Sequence, residues 1–187
     1  MTAYMDNAMR YHRLKKYVIH VLSVAAIRED TFDLPQHQNA IVVCTHLNQN
    51  SRVKSILPQN KLILDFPDVE DPHYPGSFNQ AHARRIIRFV QDLPDDVTDL
   101  YVSCSKGSSR SPAVAAALLR MSGRSDKAVW LNPYYVPNLL VYYRLCRAWG
   151  FHTPLVTVWF KHLANRRAFR VAKKRQSSKY ERWQILF

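Results

Sequence analysis

Between Leu100 and Gly123 the chain carries a short apolar run, a cysteine, a loop of small residues, an arginine and then an alanine-rich segment. That order constrains the fold more than any other feature. Leu100–Ser103 has the composition of a buried strand, and Ser111–Met121 that of a helix ended by Gly123. A strand that turns tightly into a helix gathers the N–H groups of the connecting loop into one concavity at the helix N-terminus. Such a nest holds a tetrahedral dianion through unsatisfied donors and the helix dipole. Gly107, three positions after Cys104, has no Cβ and lets the backbone take a strained path close to an anion. Pro112 sits near the first helical position, where its missing N–H costs nothing and its fixed φ helps.

These residue types suit phosphate-ester chemistry. A helix N-terminus favours negative charge, and a thiolate is the form of cysteine that attacks. Arg110, six positions after Cys104, offers a planar fork for two equatorial phosphate oxygens that lysine does not match. Ser105, Lys106, Gly107, Ser108 and Ser109 complete the phosphate-binding loop with Arg110. Ser111 is placed to hydrogen-bond the thiolate and ease its departure. A lone cysteine on a strand is more often a small core hydrophobe, but the other two cysteines act as an internal control. Asn50 follows Cys44 by six positions and His152 follows Cys146, so only Cys104 has the arginine, the loop glycine and the flanking elements. The Walker phosphate loop does not occur, which removes support for nucleoside triphosphate hydrolysis of that type.

The 187 residues suit one main domain. Three widely spaced cysteines fit a reducing compartment, show no metal-ligand spacing, and leave the cytoplasm as the expected location. No apolar run reaches the roughly 18 residues of a membrane span. Residues 1–16 are polar and lack a signal-peptide core. Net charge is +13, and it is uneven: from Lys161 to Phe187 nine Lys/Arg face one acid, Glu181, a balance of +8. The expected organisation is a polar segment over 1–16, a catalytic domain over 17–160 and a basic helical tail over 161–187.

Further strands are expected at Tyr17–Val24, Ala40–Cys44 and Lys61–Phe66. Between the last of these and Leu100, the residues Phe78, Ala81, Ile86, Phe89, Val90 and Leu93 fall on one helical face. A helix joining two apolar strands is the crossover of a parallel sheet. Helices are also expected at Pro137–Trp149, ended by Gly150, and from Thr153–Pro154 onward, the latter presenting Val156, Trp159, Phe160 and Leu163 to the core. The fold class is therefore α/β, with a mostly parallel central sheet flanked by helices and a basic C-terminal helical extension. Ligands of such sheets bind beyond the carboxyl ends of the strands, where Cys104 stands.

The run Cys104-Ser-Lys-Gly-Ser-Ser-Arg110-Ser111-Pro112, followed by Ala-Val-Ala-Ala-Ala-Leu, resembles the signature loop of cysteine-based phosphatases of the dual-specificity, tyrosine-phosphatase-like superfamily. The Arg-Ser-Pro triplet resembles the dual-specificity branch, and the compact length its small bacterial members. The resemblance covers about residues 17–150, with only the loop highly specific. Leu62-Ile-Leu-Asp65-Phe-Pro-Asp68-Val-Glu-Asp71 resembles the strand and loop that carry that family's general acid. Asp68, just past the Phe66-Pro67 pair, is the first candidate; Asp71 is second, and Asp65 falls within the strand. Asn132-Pro133 and Pro137–Tyr142 resemble the segment packed behind the loop. Two positions depart from the pattern: Ser103 replaces the usual histidine before the cysteine, and Lys106 replaces a frequent alanine.

The resemblance implies a phosphatase that needs neither metal nor cofactor, with Cys104, Arg110, Asp68 and Ser111 as its catalytic residues. Its substrate would be a phosphorylated protein or another phosphomonoester, a phosphoinositide and an RNA 5′ end included. A phosphate-binding pseudophosphatase is the rival, kept open by Ser103. The run Arg166-Arg167, Arg170, Lys173-Lys174-Arg175 suits contact with a polyanion, although a solvated helix also accounts for it. Tyr180, Trp183 and Phe187 are candidates to dock back on the domain. His46, His73 and His82 show no spacing pattern and read as surface residues. No oligomeric state follows from the sequence.

Overall fold

The computed structural model describes residue 14 and residues 17–28, 38–44 and 57–175. Segment 1–16 apart from Leu14, His46 and the terminal aromatics Tyr180, Trp183 and Phe187 lie outside the described residues.

Four strands among these residues form one parallel sheet: β1 (Val18–Ser23), β2 (Asn39–Cys44), β3 (Asn60–Leu64) and β4 (Asp99–Cys104). Their spatial order is β1-β4-β2-β3, and each neighbouring pair runs parallel. β2 is buried at every position and β4 at all but its first. Strands covered on both faces read as continuous apolar runs rather than alternating ones, which is why these two were visible in the sequence. β3 stops at Leu64, two residues short of the expected end. Phe66 leaves the strand to pack edge-on against Phe78, with ring centroids 4.9 Å apart.

Alternation along the strands divides the core in two. Ile19, Val21, Ala40, Val42, Leu64, Leu100, Val102 and both Cys44 and Cys104 join the larger cluster. Leu22, Ile41, Val43 and Tyr101 join the smaller one, with Val24 and Ile27 from the short helix α1 (Val24–Arg28).

The larger face is covered by helices. In α2 (Gln80–Gln91) the buried Ala83, Ile86, Ile87 and Val90 form the inward stripe. Asn79 caps it, its side chain accepting from His82 N at 3.1 Å while His82 Nδ1 accepts from Asn79 N at 3.2 Å. Burial, then the nearby Arg85, pushes the His82 pKa below the usual imidazole value, which favours the neutral ring that such an acceptor needs. Helix α3 (Arg110–Met121) is buried at every position except Arg120. Its alanines let it lie close between the sheet and α5 (Leu139–Trp149), against both of which it packs. The capping of α5 is local: Asn138 accepts from Val141 N at 3.1 Å, and Gly150 closes the helix in the left-handed region at φ 98°. The five-residue α4 (Lys127–Leu131) precedes it.

Helix α6 (Leu155–Arg175) corrects one expectation. Val156, Trp159 and Phe160 do not enter the core; they are exposed, and Leu163 is half-buried. Val158 and Asn165 face the domain instead. Polar anchors set this rotation. Lys161 Nζ donates to Asp126 Oδ1 and Oδ2 at 2.6 and 2.8 Å, and Asp126 also accepts from Tyr142 and Trp130. Asn165 Nδ2 donates to the carbonyls of Trp130 and Tyr135 at 3.1 and 2.8 Å. Rotating the apolar residues inward would break a largely buried ion pair and strand Asp126, a loss that opposes their burial.

Candidate active site

Cys104 is the last residue of β4 and Arg110 the first of α3, so the loop between them spans the strand end and the helix N-terminus. Alternation points Cys104 to the helix-covered face, where its Sγ lies 3.1 Å from Ser111 Oγ. Gly107 N donates to Cys104 O at 3.3 Å and turns the loop. Its φ is +70°, and a Cβ there would stand 2.9 Å from Ser23 N and 3.0 Å from the Leu22 carbonyl carbon and oxygen. The loop thus leans on the backbone at the end of β1 with no room for a side chain.

Two loop carbonyls are engaged from behind. Ser108 O accepts from Val136 N at 2.7 Å, and Ser109 O from Asn138 N and Ala113 N, both at 3.2 Å. A trans peptide sets its C=O and the following N–H in opposite directions. Anchoring these carbonyls in the 136–138 segment therefore turns the N–H groups of Ser109 and Arg110 the other way. That is the arrangement of an anion nest.

The Arg110 side chain is buried and fixed by neutral acceptors. Nη1 donates to Phe66 O at 2.8 Å and Nη2 to Ser105 Oγ at 2.9 Å, while the guanidinium stands 5.9 Å from the Phe66 ring centre. Its buried Nε has no hydrogen-bond partner among the described residues; the nearest anionic atom is Asp68 Oδ2 at 3.7 Å. A buried, unspent guanidinium donor is costly and suits a site completed by an anionic ligand.

Of the three candidate acids, Asp68 is the one joined to the loop. Its Oδ1 accepts from Ser109 Oγ at 2.8 Å and from Asn138 Nδ2 at 2.9 Å. Asp71 instead accepts from the nearby His73 N at 2.9 Å. Asp65 lies just past the end of β3 and is exposed. Lys106 is exposed at the loop tip, Ser105 is exposed too, and Gly107, Ser108 and Ser109 are half-buried. Ser103, at the position where the resemblance expects histidine, alternates to the other face; its Oγ is buried without a partner among the described residues. It does not reach Cys104.

The resemblance places Asn138 in the segment behind the loop but gives it no role at the acid. Asn138 Oδ1 caps α5 while its Nδ2 holds Asp68 and also donates to Val69 O at 3.2 Å. Glu70 adds a second tie, accepting from Leu139 N at 2.8 Å. Pro137-Asn138 ahead of an apolar helical run is an N-cap signal; the bond across 70 residues has none.

The other cysteines differ in setting. Cys44 stands directly beside Cys104 in the β2–β4 register, and burial, then Cys104 itself, pushes its thiol well up. Burial pushes Cys146, on α5, up to about 11. No group of three or more His, Cys, Asp or Glu among the described residues is placed to hold a metal ion. No family model matches the chain, and no curated protein matches it.

Proposed function

We propose that this chain is a cysteine-dependent phosphoric monoester hydrolase acting through a phosphocysteine intermediate, with phosphorylated proteins as its substrate class. One observation carries the reading. Cys104 Sγ sits against Ser111 at the base of a glycine-turned loop, beside a buried Arg110 whose Nε has no hydrogen-bond partner among the described residues and faces Asp68 Oδ2 at 3.7 Å. The Cys104 thiolate attacks phosphorus and the bond to the leaving oxygen breaks, with Asp68 giving that oxygen its proton. Arg110 and the loop amides hold the equatorial oxygens. A water, deprotonated by Asp68, then attacks phosphorus and releases the thiolate, which Ser111 stabilises by hydrogen bonding. Positioning and charge stabilisation supply most of the acceleration. The buried, unpartnered Ser103 favours a second reading, a phosphate-binding protein that turns over slowly or not at all. Phosphoinositides and RNA 5′ ends are the alternative substrates.

Hydrolysis of an activated aryl phosphate tests the enzyme against the binding protein. Asp68→Asn separates the role of the acid. It is expected to slow esters with poor leaving groups by about 10²–10³-fold and activated aryl esters, which leave without a proton, by less than about tenfold. An equal loss on both would remove Asp68 from that role and bring Asp71→Asn forward.

Oxidation supplies a further check. Mild peroxide converts a reactive thiolate to a sulfenic acid, which condenses with a thiol to a disulfide and water. Cys44, paired in register with Cys104, is expected to be that thiol. Mass spectrometry should find a Cys104–Cys44 link that Cys44→Ser replaces with Cys104 sulfinate. Sulfinate without any link in the unsubstituted protein would reject the pairing.

A further inference from the structure

Leu155, Val156, Trp159 and Phe160 are 68, 56, 54 and 61% exposed on α6. The rings of Trp159 and Phe160 meet edge to face with centroids 5.4 Å apart. At 3.6 residues per turn, positions 156, 159, 160, 163, 167 and 170 fall on one side of the helix, opposite Val158 and Asn165, which face the domain. This outer stripe changes character along its length. It is apolar from Val156 to Phe160 and cationic further on, where Arg166, Arg167 and Arg170 are exposed. No Asp or Glu occurs from Leu155 to Arg175, and the helix takes Lys173, Lys174 and Arg175 into its last turn.

Clustered large apolar residues in water mark an interaction surface, and the charge beside them selects its occupant. A second copy seated on the same stripe would bring two sets of arginines together on chains that each carry +13. A nucleic acid would meet the arginines and stack on Trp159, but it has nothing for Leu155 and Val156. A bilayer with anionic headgroups satisfies both halves: the acyl boundary takes the aliphatic and aromatic residues, and the phosphates take the guanidinium groups.

We propose that α6 is a membrane-docking helix that sits at a tilt on an anionic lipid surface, its apolar N-terminal turns inserted and its arginines at headgroup level. It lies on the bilayer without crossing it; no helix among the described residues is long and apolar enough to span one. The anchors described above hold the stripe outward. Asn165 bonds Tyr135 O, and the next residue, Val136, bonds Ser108 O in the anion-binding loop. The inner face of the helix thus meets the segment that backs the candidate active site. The proposal stands on surface chemistry alone and does not depend on catalysis.

The test is co-sedimentation of the full chain with phosphatidylcholine vesicles and with vesicles carrying about one-third phosphatidylserine. Partitioning onto the anionic vesicles is expected to be at least about tenfold stronger and to weaken with salt. Replacing Arg166, Arg167 and Arg170 with glutamine should weaken it by about 100-fold, roughly fivefold per arginine. Replacing Val156, Trp159 and Phe160 with serine should weaken it by about 100-fold at any salt concentration. Both variants change exposed positions, and circular dichroism should show native helix content. As an independent readout, the tryptophan emission blue shift on adding anionic vesicles should disappear in Trp159→Phe, with binding retained. Equal binding to both vesicle types, wild-type partitioning of either triple variant, or a blue shift that survives Trp159→Phe would overturn the proposal. A dimer dissolved by the serine variant would assign the stripe to a second copy. RNA binding tighter than vesicle binding and indifferent to the serine substitutions would assign it to nucleic acid.

Discussion

Cys104→Ser is expected to abolish turnover of an aryl phosphate, by at least about 10⁴-fold, while phosphate or vanadate still binds. The loss is large because a serine hydroxyl is a far weaker nucleophile than a thiolate, and the group bonded to this position, Ser111 at 3.1 Å, is not a base that could activate it. Binding survives because the anion is held by elements the substitution leaves alone, the loop amides and the Arg110 guanidinium. Arg110→Ala should lose both. It removes the fork from the ligand and also its own bonds to Phe66 O and Ser105 Oγ, which tie the loop to the end of β3. Initial rates on an aryl phosphate and equilibrium titration with vanadate measure the two effects separately. Wild-type turnover by Cys104→Ser would overturn the proposed mechanism.

Gly107→Ala should be the next most damaging change for its size, since it adds one methyl group. At φ +70° an alanine is strained by itself, and here the new Cβ would lie 2.9 Å from a backbone nitrogen of β1. Neither partner is the flexible end of a side chain, so the loop must move. A stability loss of at least about 2 kcal/mol is expected. A shift of about 1 Å in the loop would lower turnover by about 100-fold. Lys106→Ala, one position earlier at an exposed tip, is the control and should leave stability unchanged. Urea midpoints and kcat/KM on the same preparations give both quantities. If Gly107→Ala matched Lys106→Ala, the close approach to β1 would carry no weight.

The contrast between those adjacent positions shows what the sequence could and could not convey. Strands buried on both faces announce themselves as apolar runs, so β2 and β4 were legible within a residue or two, and the loop between β4 and α3 with them. Gly107 was legible as a position needing freedom, but its neighbour, the backbone of Ser23, lies 84 positions away and leaves no local trace. The order β1-β4-β2-β3 was equally hidden, because pairing among parallel strands is a matter of crossovers rather than composition. Asp68 was named from its place after a strand, whereas Asn138 and Ser109, which hold it, are joined to it only through space. The outer stripe of α6 was misread for a different reason. Val156, Trp159, Phe160 and Leu163 have helical spacing, and hydropathy alone sends such a set inward; the bond of Lys161 to the buried Asp126 turns the opposite side of the helix to the domain.

The carbonyls of Ser108 and Ser109, bonded from behind by Val136 and Asn138, carry a consequence for the thermodynamics of ligand capture. A loop that folds around its anion must spend about 1–2 kcal/mol per residue in backbone entropy at the moment of binding. Here that cost falls on folding instead, and the receptor meets its ligand already shaped. Association should then proceed without a slow ordering phase, and its enthalpy should vary little with temperature, since little apolar surface is newly buried. Amide exchange at Val136 and Asn138 should be slow in the free protein and almost unchanged when phosphate is bound.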